Sequence, residues 1–395
     1  MISKKIQKLL NNNKIVKEMF EEGRRLKEIY GKENVYDFSL GNPTLSTPKK
    51  IDESIIEVLN TEDSSFIHGY SSNGGYKDVK DSIACNINNK YNTNLKGKNI
   101  IMTVGAASAL NIILKSILDK DDEVILFTPY FGDYDNYVDN YDGKVVKVNT
   151  SIETFLPNLV LFEQSITSRT KAVIINTPNN PTGVVYDENT IKSISDILNR
   201  KEKEYNHDIY LISDEPYREI VYDNIEVPYI INYYNNTFIV YSFSKCLSLA
   251  GERIGYVVVS NNMNDEDNII DSLTISNRII GSVNAPTLIQ RAIIKCLDEK
   301  VDINYYKNNR DKLLSIINKY NLSYVKPEGT FYLFVKTPID DIKFCDIAKK
   351  YNLLFTPSSL YGIKGYIRIA YCVDYNTIIN SEKAFDLLFN EINSI

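Results

Sequence analysis

From residue 100 to about 260 the chain alternates short apolar runs with segments of helical length and period, and this limits the folds open to it. Seven runs read as strands, at 100–104, 123–127, 145–148, 172–176, 209–213, 238–241 and 255–259. Strands joined by helix-length crossovers pair in parallel, so the spacing predicts an α/β large domain. Its core is a mostly parallel seven-stranded sheet flanked by helices. After about residue 265 the texture changes. Helical patterns near 266–281, 285–298 and 302–320 lead into 329–336, a helix near 343–351 and the run 365–370, which together predict a smaller α+β domain. Residues 1 to about 35 read as an amphipathic helical arm carrying Ile6, Leu9, Leu10, Ile15, Met19, Phe20 and Leu26 among charges. The expected division is an arm at 1–45 joining the small domain, a large domain at 46–284 and a small C-terminal domain at 285–395.

Composition removes several function classes. Lys+Arg 45 against Asp+Glu 51 gives a net charge of −6, which offers no basic face to nucleic acid. No apolar run approaches a membrane span, and the lysine-rich start lacks a signal-peptide core. Five cysteines without a C-x-x-C pair imply reduced thiols in a cytoplasm and argue against a zinc site. Two histidines, His68 and His207, supply neither a metal cage nor a Ser-His-Asp triad well.

In sheets of this kind a ligand sits beyond the carboxyl ends of the strands, so the residues there are the candidates for a site. Gly105-Ala106-Ala107-Ser108 opens a helix, as a tight turn or as a backbone cradle for a phosphate. Neither G-x-G-x-x-G nor G-x-x-x-x-G-K is present, which disfavours a dinucleotide or nucleoside triphosphate. Thr128-Pro129-Tyr130-Phe131 offers Phe131 either to the core or to a stacked ring. Asn179-Asn180-Pro181-Thr182-Gly183 is a turn by its chemistry, and its amides could donate to a phenolate. Asp214, in Asp214-Glu215-Pro216-Tyr217, is an N-cap or a carboxylate that requires a cationic partner such as a protonated pyridine nitrogen. Ser242-Phe243-Ser244-Lys245, with Gly251-Glu252-Arg253-Ile254-Gly255 after it, puts a lysine at a strand end. That lysine is either a solvated loop residue or an amine for Schiff-base chemistry.

With these elements in order, the chain from about Phe38 onward resembles the fold-type I pyridoxal-phosphate aminotransferases, in the class I/II branch that includes aspartate aminotransferases. The resemblance rests on Asn-Asn-Pro-Thr-Gly, Ser-Asp-Glu-x-Tyr, Ser-x-Ser-Lys with Gly-x-Arg-x-Gly, and Tyr-Ile-Arg near the end. It implies pyridoxal 5'-phosphate as cofactor, Lys245 as the Schiff-base lysine and Asp214 as partner of the pyridine N–H. Asn180 and Tyr217 would hydrogen-bond the ring hydroxyl, and Phe131 would stack on the ring. Ala106, Ala107, Ser242 and Arg253 would hold the phosphate. Arg368, helped by the Gly41 backbone N–H, would grip the substrate α-carboxylate, and Tyr70 would reach the phosphate of a neighbouring subunit in a homodimer. Two departures stand out: Ala107 lacks a side-chain donor found in several relatives, and Phe131 stands where many have tryptophan.

The activity so implied is amino transfer between an L-amino acid, aspartate-type by family, and a 2-oxo acid such as 2-oxoglutarate, in a ping-pong sequence. The alternative is a β-elimination lyase of sulfur amino acids. Ser242-x-x-Lys245 also fits penicillin-recognising hydrolases, but Ser-Asp-Asn and Lys-Thr-Gly are missing. The short N-terminal arm leaves no room for the DNA-binding domain of a regulator built on this fold. Arg278 is a candidate for a distal carboxylate or a solvated helix residue, and Cys246 a packing residue. His68 reads as a loop residue, and Arg218 and Glu219 as a pair with each other or with solvent.

Overall fold

A computed structural model describes residues 2–12 and 14–394. Two compact units result, one of Asn42–Tyr305 with Val325–Thr330, the other of Met1–Gly41, Tyr306–Tyr324 and Phe331–Ile395.

The larger unit is built on a seven-stranded sheet. Its strands are β1 (Ile100–Thr103), β2 (Glu123–Thr128), β3 (Lys144–Asn149), β4 (Thr170–Asn176), β5 (Tyr210–Asp214), β6 (Thr237–Ser242) and β7 (Gly255–Val259), in the order β1-β7-β6-β5-β4-β2-β3. Neighbouring strands are parallel except where β7 runs antiparallel to β1 and β6. All seven lie where the apolar runs predict them. The strands β2, β6 and β7 are buried along their whole length, as expected of a sheet covered on both faces. The edge strand β3 is half exposed and carries Lys144 and Lys147, charges that deter pairing with another chain.

Helix α1 (Gly105–Ile117) is apolar nearly all round and packs on one sheet face with Ile112, Ile113 and Leu114 fully buried. Helix α2 (Asp133–Asp139) follows β2 on the same side, with Tyr134 and Val138 in the core around α1. Residues 285–305, grouped by sequence texture with the second domain, belong to the larger unit. The helix Thr287–Ile293 buries Ala292 and Ile293, accepts Ser54 Oγ on the Ala292 carbonyl, and anchors Arg291 on Glu62.

The smaller unit contains the helices Lys4–Asn12 and Lys14–Tyr30 and an antiparallel sheet of β8 (Tyr332–Lys336), β9 (Thr356–Pro357) and β10 (Tyr366–Ala370). Helices Asp341–Lys349 and Tyr375–Ile392 complete it. The amphipathic arm is helical as expected. Leu26 is buried against Val35 and Leu354, whereas Ile6 and Leu10 face solvent. The side chains of Ile15, Met19 and Phe20 lie outside the described residues.

Candidate active site

The carboxyl ends of β1, β4, β5 and β6, with the turn into β7, bring most of the sequence-predicted residues of the larger unit onto one side of the sheet. Three loops meet first. Gly105, at φ +74, begins α1, and a Cβ there would lie 2.9 Å from a guanidinium nitrogen of Arg253. Positive φ and close approach together favour glycine at this turn. A Cβ on Gly255 would lie 2.4 Å from the Tyr241 carbonyl oxygen and 3.1 Å from Gly105 Cα. These contacts hold the Ala106–Ala107 turn, Ser242 and Arg253 in one neighbourhood.

Ser242 closes β6 and caps the short helix Phe243–Cys246, accepting the Ser244 N–H on Oγ at 3.2 Å. Lys245 sits partly buried inside that helix rather than in a solvated loop. Its neighbour Cys246 is buried with its thiol 3.1 Å from the Tyr241 hydroxyl. Burial, reinforced by Glu219, pushes that thiol well above its ordinary pKa, as befits a packing residue.

Asp214 ends β5 and caps no helix; the segment after it is a chain of turns. Its side chain is 6% exposed. Oδ2 accepts the Tyr134 hydroxyl at 2.5 Å, and Oδ1 is buried without a hydrogen-bond partner. Burial raises its pKa to about 7, with Glu215 adding to the rise and the Tyr134 bond opposing it. A buried carboxylate oxygen without a donor is costly, and a protonated ring nitrogen would satisfy it.

Asn176, at the end of β4, ties two site segments together. Its Nδ2 donates to the Asp214 carbonyl at 2.7 Å, and its Oδ1 accepts the Asn180 N–H at 2.7 Å. Asn180 and Tyr217 are both buried beside these strand ends. Phe131 begins the turn into α2 and meets Tyr134 edge-on, with centroids 5.6 Å apart. Sequence reasoning missed Asn176 and Tyr134. Neither sits in a motif, and their roles arise only from bonds across strands.

Arg218 pairs with Glu215, not with Glu219. Its Nε donates to Glu215 Oε2, its other nitrogens reach the Val227 and Pro228 carbonyls at 3.0 and 2.8 Å, and Tyr91 and Tyr229 lie under the guanidinium. The turn after Asp214 directs the Arg218 side chain back to residue 215, three positions earlier. Tyr70 is 88% exposed on the loop after helix Ser64–His68, and His68 is exposed as the last residue of that helix. Arg278 is exposed in the last turn of helix Glu266–Ile279.

In the smaller unit Arg368 lies on β10, with Nη2 donating to the Ser39 carbonyl at 2.8 Å and its guanidinium 4.3 Å from the Tyr332 ring centroid. Gly41 packs against the same tyrosine, where a Cβ would come within 1.8 Å of the Tyr332 hydroxyl.

The chain resembles known proteins along most of its length. The family model "Aminotransferase class I and II" matches residues 33–380. A probable aspartate aminotransferase of Methanocaldococcus jannaschii is 31% identical, over 89% of this chain and 92% of that protein. A crystal structure of an amino transferase from Eubacterium rectale superposes with a TM-score of 0.95 at 40% identity, covering 99% of both chains. An aspartate aminotransferase structure from Thermotoga maritima gives 0.87 at 26% identity, over 98% of this chain and 99% of that one. The chain is therefore a member of the class I and II aminotransferases, enzymes that use pyridoxal 5'-phosphate.

Proposed function

We propose that this aminotransferase moves an amino group from an L-amino acid of the aspartate type to a 2-oxo acid such as 2-oxoglutarate, in two half-reactions of a ping-pong cycle. The observation that carries the reading of the site is the bare, buried Oδ1 of Asp214 at the carboxyl end of a parallel sheet. The aspartate aminotransferases among the relatives support the choice of donor. Pyridoxal phosphate, when bound, supplies the electron sink that stabilises a carbanion at the substrate Cα.

The protein's share is binding, orientation and proton transfer. Asp214 would hold the ring nitrogen through Oδ1, and its negative charge favours a proton there. Asn180 and Tyr217 would donate to the ring oxygen, and Phe131 would lie against one ring face. Arg253, Ser242 and the N–H groups of Ala106 and Ala107 would bind the phosphate, combining a guanidinium with the amino end of α1. Lys245 would anchor the cofactor through Nζ until an incoming amine displaces it, and the freed amine would then carry the proton from the substrate Cα. Arg368 and the Gly41 N–H would bind the substrate α-carboxylate. Tyr70, which is 88% exposed, would reach the phosphate of a neighbouring subunit in a homodimer. The five free thiols are consistent with a cytoplasmic setting, and no described helix is long and apolar enough to cross a membrane.

The test is a spectrum followed by a donor panel. The protein loaded with pyridoxal phosphate should absorb as an imine, lose that band with aspartate and regain it with 2-oxoglutarate. Lys245→Ala should abolish turnover while retaining some non-covalently bound cofactor. Wild-type turnover and an unchanged band in Lys245→Ala would sink the assignment. Release of pyruvate, ammonia and homocysteine from cystathionine without amino transfer would establish the lyase instead.

A further inference from the structure

Tyr134 belongs to none of the motifs that identify this family in the chain, yet among the described residues it makes the one hydrogen bond to the Asp214 side chain. It is 1% exposed, in the first turn of α2, and its N–H bonds the Phe131 carbonyl at 3.0 Å. One turn of chain therefore carries both Phe131 and the phenol on Asp214. The backbone around Asp214 is fixed as well, with Asn176 on its carbonyl and the Glu215 N–H on the Val240 carbonyl at 2.8 Å. With backbone and one carboxylate oxygen both held, the direction of Oδ1 is set before any ligand arrives.

We propose that Tyr134 is a positioning residue: by donating to Oδ2 of Asp214 it fixes that carboxylate and holds it as the anion, so that Oδ1 can keep a proton on the cofactor's ring nitrogen. The proposal rests on the pyridoxal-phosphate reading of the site. Burial raises the Tyr134 phenol well above its ordinary pKa, and Asp214 adds to that rise, so the proton between them belongs to the phenol. The other ionisable groups near the pair are Glu215, Tyr137 and Tyr217, with Arg253 acting on Tyr137. Of these, Glu215 works against ionisation of Asp214 and is itself bound to Arg218 and Ser213. A hydrogen bond to a charged oxygen shifts the balance between carboxylate and carboxyl roughly ten- to a hundredfold, or about one to two pH units.

The experiment uses holoenzyme reconstituted with pyridoxal phosphate carrying 15N in its ring, whose NMR shift reports the ring proton directly. Tyr134→Phe should lower the midpoint of ring-nitrogen deprotonation by about one unit or more. Asp214→Asn provides the unprotonated reference. Tyr130→Phe, which loses a bond to Asp135 in the same helix, should leave the midpoint unchanged. A ring nitrogen as protonated in Tyr134→Phe as in wild type at every pH would overturn the proposal, and so would an equal shift in Tyr130→Phe. Should Tyr134→Phe release its cofactor, isotope-edited infrared titration of the apoprotein decides. The Asp214 midpoint should then rise above the wild-type value, and an unmoved midpoint refutes the role. Wild-type protein that binds no pyridoxal phosphate would instead overturn the cofactor reading, and the proposal with it.

Discussion

Asp214 should make the cofactor-free protein less stable as the pH rises, and Asp214→Asn should remove that dependence. The carboxyl titrates at about 7 in the folded chain because burial penalises its charge, Glu215 adds to the penalty, and the Tyr134 bond offsets only part of it. In the unfolded chain it titrates near the ordinary aspartate value of about 3.9. Below about pH 4 the group is neutral in both states and costs nothing. Between about pH 4 and pH 7 the unfolded carboxyl ionises while the folded one stays protonated, so stability falls; above about 7 both are ionised and the loss is complete. Each unit corresponds to about 1.4 kcal/mol, so the full span costs on the order of 4 kcal/mol. An asparagine can still accept the Tyr134 hydroxyl but leaves a buried Nδ2 without an acceptor, a cost of about 1–3 kcal/mol that is independent of pH. Comparing the variant at about pH 5 and about pH 8 cancels that constant and leaves a relative gain of about 2–3 kcal/mol at the higher pH. Denaturant unfolding of both apoproteins at the two pH values measures it. A variant whose stability relative to wild type is the same at both would refute the claim that Asp214 is a buried, strained acid awaiting a cation. The gain in the apoprotein should come with loss of the protonated ring nitrogen in the holoprotein.

Gly255→Ala should push the Tyr241 carbonyl and the Gly105 turn apart, costing about 1–3 kcal/mol and loosening cofactor retention on gel filtration. Gly251→Ala, where a Cβ meets nothing within 4 Å, is its control and should change neither. Glu215→Gln should lower the denaturant midpoint by an amount equivalent to roughly 3–5 kcal/mol. It strands Arg218, which is 5% exposed and whose charge Glu215 sustains against burial. Arg368→Leu should raise KM roughly ten- to a hundredfold for every amino donor, as loss of a charged hydrogen-bond partner predicts. If only acidic donors suffered in steady-state assays, Arg368 would recognise a side chain instead.

Much of this fold was legible because a covered parallel sheet writes each strand as an unbroken apolar run. The runs at 123–127 and 238–241 fall within strands buried from end to end. The edge strand β3 was still found, since Val145, Val146 and Val148 keep the β-branched signature despite exposed lysines. The placement of residues 285–305 was harder. Helical period shows that a segment has an apolar face but does not identify the surface that covers it. Here that surface includes the helix Lys49–Thr61, through Ser54 and the ion pair of Arg291 with Glu62 at its end.

The site follows the same logic with a sharper boundary. Residues such as Lys245, Asp214 and Asn180 sit in short segments whose chemistry is odd for a turn, so each raised a question from sequence alone. Tyr134 and Asn176 raise none, because a tyrosine in a helix and an asparagine at a strand end are both ordinary. What distinguishes them is their partners: Asn176 joins the ends of β4 and β5, and Tyr134 reaches 80 positions along the chain to Asp214. Adjacent parallel strands are separated in sequence by a whole crossover, so a bond between their ends leaves no local spacing to read. Ser242 shows the converse, since its cap on Ser244 is two residues long and is written in the sequence itself. Residues whose chemistry is spent on a ligand are thus visible one by one, whereas those that hold them in position appear only once the strands lie side by side.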